Sequence, residues 1–527
     1  MEASRLQPMG ARTVASGANN ERPNHSAHSI MAGDVLGDDD KPSNTQRNMH
    51  SDSVAYRTTN ILCAIIFVAA GAGGLVTIPQ IQLLETAVCR EFLEGAEVAG
   101  LLDDNGSILE SSCKGKEVQS TVAYIIAVGA ALESVIGFVG AIPWSTVADR
   151  IGRKPVFVLA LTGITADNLI WLAMIWLQLN FHIPSWTVWF ASAGLVIGGG
   201  NAMLTSVVLS TITDAAPEEI RASLFMRVHA AALSASLLAP SLASALMGAF
   251  GPWIPMLLGV SLLGLSASAA GFVPDTKRYS EHSSASTRAS SDGPFRISSA
   301  THALTQATKA LRSFLPFVGR PSSACLLIAV LLSYSLIPAT TQLLVQYLSI
   351  RYFIGLNETG YVQTVYGLAQ LAQLFLGLPL LARLVRARAG VGSDAQRDLY
   401  LARFSFCVAI PGALLMGAAA NLGFFIVGLL VLALGAGSSS YQRSLLSGFF
   451  DAEYHSRLFS LVAMVDMVGS VYSGPMLAGL FTSGMELGGG GFLGLPYYAL
   501  ASLMAVCLAL MFFVRLPHVE YKPVAGP

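Results

Sequence analysis

Long apolar runs separated by short polar breaks dominate the chain. A helix needs about 20 apolar residues to cross a bilayer core. Runs of that size fall at 58–84, 119–143, 155–178, 186–210, 223–247, 252–273, 323–350, 359–382, 399–420, 422–446, 456–482 and 492–514. These twelve predicted spans split six and six around a polar stretch. A β-barrel is excluded, because the runs are too long and lack strict alternation. Residues 1–56 have no apolar run and read as a disordered cytoplasmic tail, since nothing there offsets ordering entropy. No apolar segment opens the chain, so the first span is expected to direct insertion without a cleaved signal peptide. Residues 274–322 read as a cytoplasmic linker. Its Ser-rich part runs from Ser280 to Ser299, and Leu304, Leu311, Leu315 and Val318 then share one helical face flanked by Lys309 and Arg312. A surface-lying helix and a plain solvated linker both fit that pattern. The expectation is an all-α integral membrane protein of twelve transmembrane helices: a six-helix bundle over 57–273, a second over 323–516, and a cytoplasmic tail over 517–527.

Composition removes the main rivals. Of 527 residues, 53% are hydrophobic and 12% charged, with mean hydropathy +0.58. A soluble domain carries about 25% charged residues, so a soluble enzyme is excluded. The net charge of −1 lacks the basic excess of a nucleic-acid binder. Lys and Arg near the span ends set the orientation. Arg150, Arg153, Lys154, Arg221, Arg227, Arg383, Arg386, Arg388, Arg397, Arg403, Arg443 and Arg457 fall on one side; Arg90, Lys114, Lys116 and Arg351 fall on the other. The richer side is predicted to be cytoplasmic, with both termini. Two glycosylation sequons, Asn105-Gly-Ser107 and Asn357-Glu-Thr359, lie in loops this places outside. Cys63, Cys325, Cys407 and Cys507 lie in spans and read as small hydrophobes. Cys89 and Cys113 share the first outside loop, where an oxidising compartment allows a disulfide; two free thiols are the alternative.

The two halves echo each other, as expected for duplicated transport bundles. Glu219-Ile-Arg-Ala-Ser-Leu-Phe225 matches Glu453-Tyr-His-Ser-Arg-Leu-Phe459 at Glu, Leu and Phe. Further on, Ala239-Pro240-Ser-Leu242-Ala243 matches Gly474-Pro475-Met-Leu477-Ala478, with the offset changed by one residue. Between the second and third spans stands Ser145-Thr-Val-Ala-Asp149-Arg150-Ile-Gly152-Arg153-Lys154. A positive-inside cluster would explain its arginines but not Asp149 or Gly152. This segment resembles the loop motif of the major facilitator superfamily, Gly-x-x-x-Asp-Arg-x-Gly-Arg-Arg/Lys, with Ser145 in place of the leading Gly. The resemblance covers about 57–516. Glu85-Thr-Ala-Val-Cys89-Arg, Cys113-Lys, Val118-Gln119 and Asp214-Ala-Ala-Pro217-Glu-Glu-Ile-Arg221-Ala further resemble fungal multidrug and secondary-metabolite facilitators. In that family the motif is a gate, so Asp149, Arg150, Gly152, Arg153 and Lys154 are implied to latch the cytoplasmic side. A carboxylate at a helix C-terminus opposes the macrodipole, and the resemblance implies a compensating partner near Ser456 and Arg457. The antiporter signature Gly-Pro-x-x-Gly-Gly is reduced here to Ala239-Pro240-Ser-Leu-Ala243-Ser244. The loop after the eighth span, Pro379-Leu-Leu-Ala-Arg383-Leu-Val-Arg386, lacks the Asp.

Ionisable groups inside a span are functional candidates. Glu133, Asp167 and Asp466 are such groups, and a low dielectric favours the protonated carboxyl, as a proton-driven carrier requires. A structural hydrogen bond or ion pair is the competing reading. His229 and Arg227 lie near the cytoplasmic end of the fifth span, where a solvated interfacial role suits them. A solute is expected at mid-membrane, and the resemblance implies a lining from the first, fourth, seventh and tenth helices. Gln80, Asn201, Tyr334, Gln342, Gln346, Tyr366, Gln370 and Tyr441 are the cavity candidates, with Gln82, Tyr347, Gln363, Gln373 and Gln442 also available; inter-helix hydrogen bonding competes for each. Such a lining suits a bulky, amphipathic, largely neutral ligand. The leading expectation is a monomeric plasma-membrane carrier that exports a small organic molecule by proton antiport, with no cofactor and no metal. Proton-driven import or a non-transporting sensor fits the same scaffold. An enzyme would need clustered His, Asp or Cys near a span end, and no Gly-x-x-x-x-Gly-Lys-Ser/Thr is present for nucleotide.

Overall fold

The computed structural model describes residues 44–93, 113–216, 218–274, 325–326, 328–330, 336–389, 394–447 and 455–515. Asn105, Tyr334, the tails before 44 and after 515, and nearly all of the linker lie outside them, as do the side chains of Ser456 and Arg457. The chain divides into Met1–Met49 and His50–Pro527, and the cavities described below are lined by residues of the second unit.

Among the described residues every element is helical. In chain order they are α1 (Asn44–Phe92), α2 (Lys116–Ile151), α3 (Arg153–Phe181), a 3₁₀ helix (Ser185–Val196) leading into α4 (Gly200–Ala215), α5 (Glu218–Phe250) and α6 (Trp253–Ala269). The second half holds α7 (Leu336–Tyr352), α8 (Leu356–Ala372), which a π turn joins to α9 (Leu378–Ala389), α10 (Asp394–Ala418), α11 (Leu422–Leu434), α12 (Ser438–Ser447), α13 (His455–Glu486) and α14 (Leu495–Phe513). Helix occupies described parts of all twelve predicted runs. Nine helical segments among the described residues are long and apolar enough to cross a membrane, and Leu422–Leu434 is a shorter apolar one. Outward-facing Val139, Leu238, Leu265 and Phe512 are exposed, which suits lipid and not water.

One boundary differs from the sequence reading. The polar pattern predicts a tail to residue 56, yet α1 is helical from Asn44. At the end of the gained stretch Ala55 is buried, and the Arg227 guanidinium lies 5.1 Å over the Tyr56 ring, a cation–π contact.

The halves pack alike. In the first, α3 lies against the 3₁₀–α4 segment and α6; in the second, α10 lies against α11 and α14. Each half has its own apolar core: Leu62, Phe157, Leu161 and Val207 in one; Phe406, Phe425, Tyr497 and Met504 in the other. The halves meet along two seams, α2 on α13 and α5 on α8, and exchanging the halves carries one seam into the other. Both seams sit toward the end of the molecule that holds Cys89 and Cys113, here the disulfide end. The opposite end, with Arg150 to Lys154, is the basic end. At one seam Ala123 and Ala127 of α2 pack into the core with Leu477 and Ala478 of α13. At the other, Ser241 Oγ donates to Thr364 Oγ1 (2.6 Å), Thr364 Oγ1 to the Leu237 carbonyl (3.0 Å) and the Gly360 amide to Ser244 Oγ (3.1 Å). Of the residues that stand in for the antiporter signature, Ser241 and Ser244 serve this seam, while Ala239 and Ala243 pack with Leu75 of α1.

Gly152 alone joins α2 to α3, with φ 104° and ψ 163°. That region is open essentially to glycine only. Gly152→Ala is expected to lower stability by about 1–3 kcal/mol, read as a lower Tm of the detergent-purified protein. Three successive left-handed glycines, Gly198 to Gly200 (φ 82°, 78° and 65°), turn the 3₁₀ helix into α4.

Candidate functional site

The first half surrounds a cavity of about 630 Å³, inside the 300–1,000 Å³ range usual for organic ligands. Helical spacing builds its wall. Gly73, Thr77 and Gln80 recur on one face of α1; Leu161, Ile164, Asp167 and Asn168 on one face of α3; Asn201, Leu204, Thr205 and Val208 on one face of α4. Glu133 enters from α2, Phe225, Val228 and His229 from α5, and Gln342 from α7. Gln80 Nε2 donates to Asn168 Oδ1 at 3.1 Å, and Asn168 Nδ2 to the Ile164 carbonyl at 2.9 Å, which fixes the α1–α3 wall. The cavity reaches along α5 toward the basic end. Its surface is aliphatic with a few amides and hydroxyls, and no described Lys or Arg lines it.

Two smaller cavities adjoin. One of about 140 Å³ lies between α1, α2, α3 and the 3₁₀ helix. The other, about 20 Å³, lies between α2, α7 and α13 and takes in Gln346. Gln342 lines all three.

Of the predicted cavity residues, the structure brings Gln80, Asn201 and Gln342 together, and adds Glu133 and Asp167 to the same wall. The others are placed elsewhere. Gln346 is buried and touches only the 20 Å³ space. Tyr366 is buried in the second half's core, and Tyr347 is packed among Tyr352, Phe425 and Tyr497. Gln370 and Tyr441 contribute to none of the three walls. These side chains serve helix packing because the seventh, eighth and tenth predicted spans turn those faces toward their own neighbours. Thr77, Asn168, Thr205 and His229 line the cavity although the sequence reading does not place them there. Their signal is present in the chain: Thr77 precedes Gln80 by three residues, and Asn168 adjoins Asp167.

The third carboxylate is different. Asp466 Oδ2 accepts from the Arg443 guanidinium at 2.8 Å. This ion pair sets Asp466 apart from Glu133 and Asp167, which line the cavity.

At the basic end, Asp149 finds its cation within its own motif. Arg153 donates to Asp149 Oδ1 (2.7 Å) and reaches Asp214 Oδ2 at the end of α4 (3.3 Å). Arg221 donates to the Thr213 and Ala216 carbonyls, both at 3.2 Å. The expected link toward Ser456 and Arg457 lies outside the described side chains.

The disulfide end is tied more heavily than the sequence suggests. Cys89 and Cys113 are joined. Lys114 Nζ meets the buried Glu85 carboxylate at 2.7 Å, Gln119 Nε2 donates to the Cys113 carbonyl at 3.0 Å, and Arg90 to the Leu179 carbonyl at 2.7 Å. Ser185 donates to Glu91 through its hydroxyl and its amide, and receives a bond from Gln178. Asn357 sits in the first turn of α8, half-buried, with the Thr359 hydroxyl buried and given to the Leu356 carbonyl.

A model of the Major Facilitator Superfamily matches residues 111–441. The chain is 28% identical over 467 residues to the MFS efflux pump atnC of Emericella nidulans, covering 88% of this chain and 89% of that protein. It is 28% identical over 481 residues to the MFS-type transporter aprT of Aspergillus flavus, covering 91% and 93%. Among solved structures it resembles an auto-inhibited POT family peptide transporter (TM-score 0.60, 14% identity, 89% of this chain and 99% of that one). A D-xylose–proton symporter is also similar (TM-score 0.57, 12% identity, 86% and 98%). At such identities the structural likeness speaks for the fold alone.

Proposed function

Because this chain belongs to the Major Facilitator Superfamily and is a multi-pass membrane transporter, we propose that it exports a small amphipathic organic compound in exchange for protons. The observation that carries the reading is the 630 Å³ cavity, whose wall holds Glu133 and Asp167 and no described Lys or Arg. An aliphatic surface with spaced amides suits the body and the polar groups of such a compound, and a carboxyl with no cation beside it is free to take up and give back a proton. Two relatives are named efflux pumps, which favours export. We place the basic end and both termini in the cytoplasm on the charge rule, the protein in the plasma membrane as a monomer, and the bundles at 57–273 and 323–516. In this arrangement the cavity faces the cytoplasm and the two seams close the outside. Rocking of the bundles would then present the same site to either face.

The test is transport in everted membrane vesicles. An imposed proton gradient should drive accumulation of the compound, and an uncoupler should abolish it; accumulation indifferent to the uncoupler would remove the exchange. The arginine cluster bears on the same cycle. Asp149→Asn is expected to slow transport several-fold, since Arg153 then keeps only Asp214 as a carboxylate partner. Wild-type initial rates would refute a gating role for the motif.

A further inference from the structure

The 630 Å³ and 140 Å³ cavities share five residues: Thr77, Gln80, Glu133, Asp167 and Gln342. Both candidate carboxyls thus stand in the partition and are reachable from two volumes. The volumes point opposite ways. From the partition the larger runs toward the basic end past Phe225 and His229. The smaller runs toward the disulfide end past Leu84 of α1, Ile125 of α2 and Trp171 of α3. Ile125 lies eight residues beyond Glu133 along α2, about 12 Å at the helical rise.

Size separates what each can hold. At about 30 Å³ per water, 140 Å³ admits about five waters and no drug-sized solute, whereas the larger cavity admits one. The smaller cavity sets six polar residues, Ser192 and the five shared ones, beside ten apolar or glycine ones in its lining, which gives water the two to four polar partners it needs. It is enclosed by α1, α2, α3 and the 3₁₀ helix, all of the first half, apart from Gln342, so a rocking motion between halves would carry it along nearly intact. The titratable groups on the two walls are Glu133, Asp167 and, far down the larger, His229; no described Lys or Arg lines either.

We propose that the smaller cavity is the proton's own route to Glu133 and Asp167 from the disulfide end, separate from the ligand's route. The inference rests on the proton exchange proposed above. A hydronium in the small cavity gives its proton to a carboxylate oxygen and becomes water. The carboxylic acid later returns that proton to a water of the larger cavity and becomes carboxylate again. Buried Val88, Val122 and Ile175 lie farther along the same helices and form a short apolar barrier between this cavity and the outer surface. Such barriers admit water intermittently, so the route conducts protons in steps and not as an open wire.

The test reads protonation directly and needs no ligand. Dicyclohexylcarbodiimide modifies protonated carboxyls in apolar sites, and the Glu133 peptide reports it by mass spectrometry. The full-length protein is placed in liposomes with the disulfide end outward and both baths at pH 8. Acidifying the outer bath to pH 6 should raise Glu133 labelling severalfold above its level with both baths at pH 8. Ser192→Leu, which fills the small cavity, should remove that response yet keep the one to acidification on the basic side; the second response also shows that the variant is folded. Ala130→Leu, from the opposite wall, should behave alike. Labelling that follows only the basic-side bath, or an outer response that survives both leucines, would overturn the separate route while leaving uncoupler-sensitive transport standing. Loss of uncoupler sensitivity in vesicles would instead strike the underlying exchange.

Discussion

Glu133→Gln is expected to abolish gradient-driven accumulation in everted vesicles, reducing it to the level seen with an uncoupler, while binding of the compound persists. The amide matches the carboxyl in size and keeps a hydrogen-bonding end in the cavity wall, but it carries no exchangeable acidic proton. Its effect on Kd should therefore stay within about fivefold, the equivalent of one neutral hydrogen bond at about 1 kcal/mol. Equilibrium binding and initial transport rates on the same preparation separate the two effects. Asp466→Asn supplies the contrast. Its carboxylate is engaged by Arg443 at 2.8 Å, so that variant should remain uncoupler-sensitive and lose thermal stability. The reverse pattern, with coupling lost at Asp466 and retained at Glu133, would relocate the proton site to the second half.

Lys114→Ala should destabilise the protein measurably at the disulfide end. Lys114 and Glu85 form an ion pair whose side chains are 13% and 3% exposed. Removing one partner of a buried pair costs about 3–5 kcal/mol, because the survivor loses its main compensation. Partial exposure of the lysine argues for about 3 kcal/mol, a fall in Tm of about 3 °C. Replacing both together, Lys114→Met with Glu85→Leu, should recover much of the loss, since a packed apolar pair is often as good as a buried ionic one. An unchanged Tm in the single variant would show that the pair is solvated.

Much of this architecture is legible in the sequence because bilayer thickness imposes a length on every apolar run, and all twelve runs contain helix. The repeat is legible for a related reason: Pro240 and Pro475 fall at matching places in α5 and α13, and the seams α2–α13 and α5–α8 are interchanged when the halves are exchanged. Facing direction is not legible. Tyr366 and Gln346 look like cavity residues by composition, yet their helices turn them into packing contacts, and only neighbouring helices decide that. The Glu85–Lys114 pair is hidden for a different reason. Its members are 29 residues apart, and neither lies mid-span, where a charge would draw attention. Asp149 looks in need of a compensating cation, and its own segment supplies Arg153 four residues on, across the Gly152 break.

The seam between α5 and α8 also bears on how readily the molecule changes state. Hydroxyls and a backbone amide hold it near Ser241, Ser244, Gly360 and Thr364, beside the Leu237 side chain seated on Gly367. When such a contact parts, water can take over each of those bonds at little enthalpic loss. The two resting populations therefore need differ by only a few kcal/mol, a gap that preferential affinity for one of them is large enough to reverse.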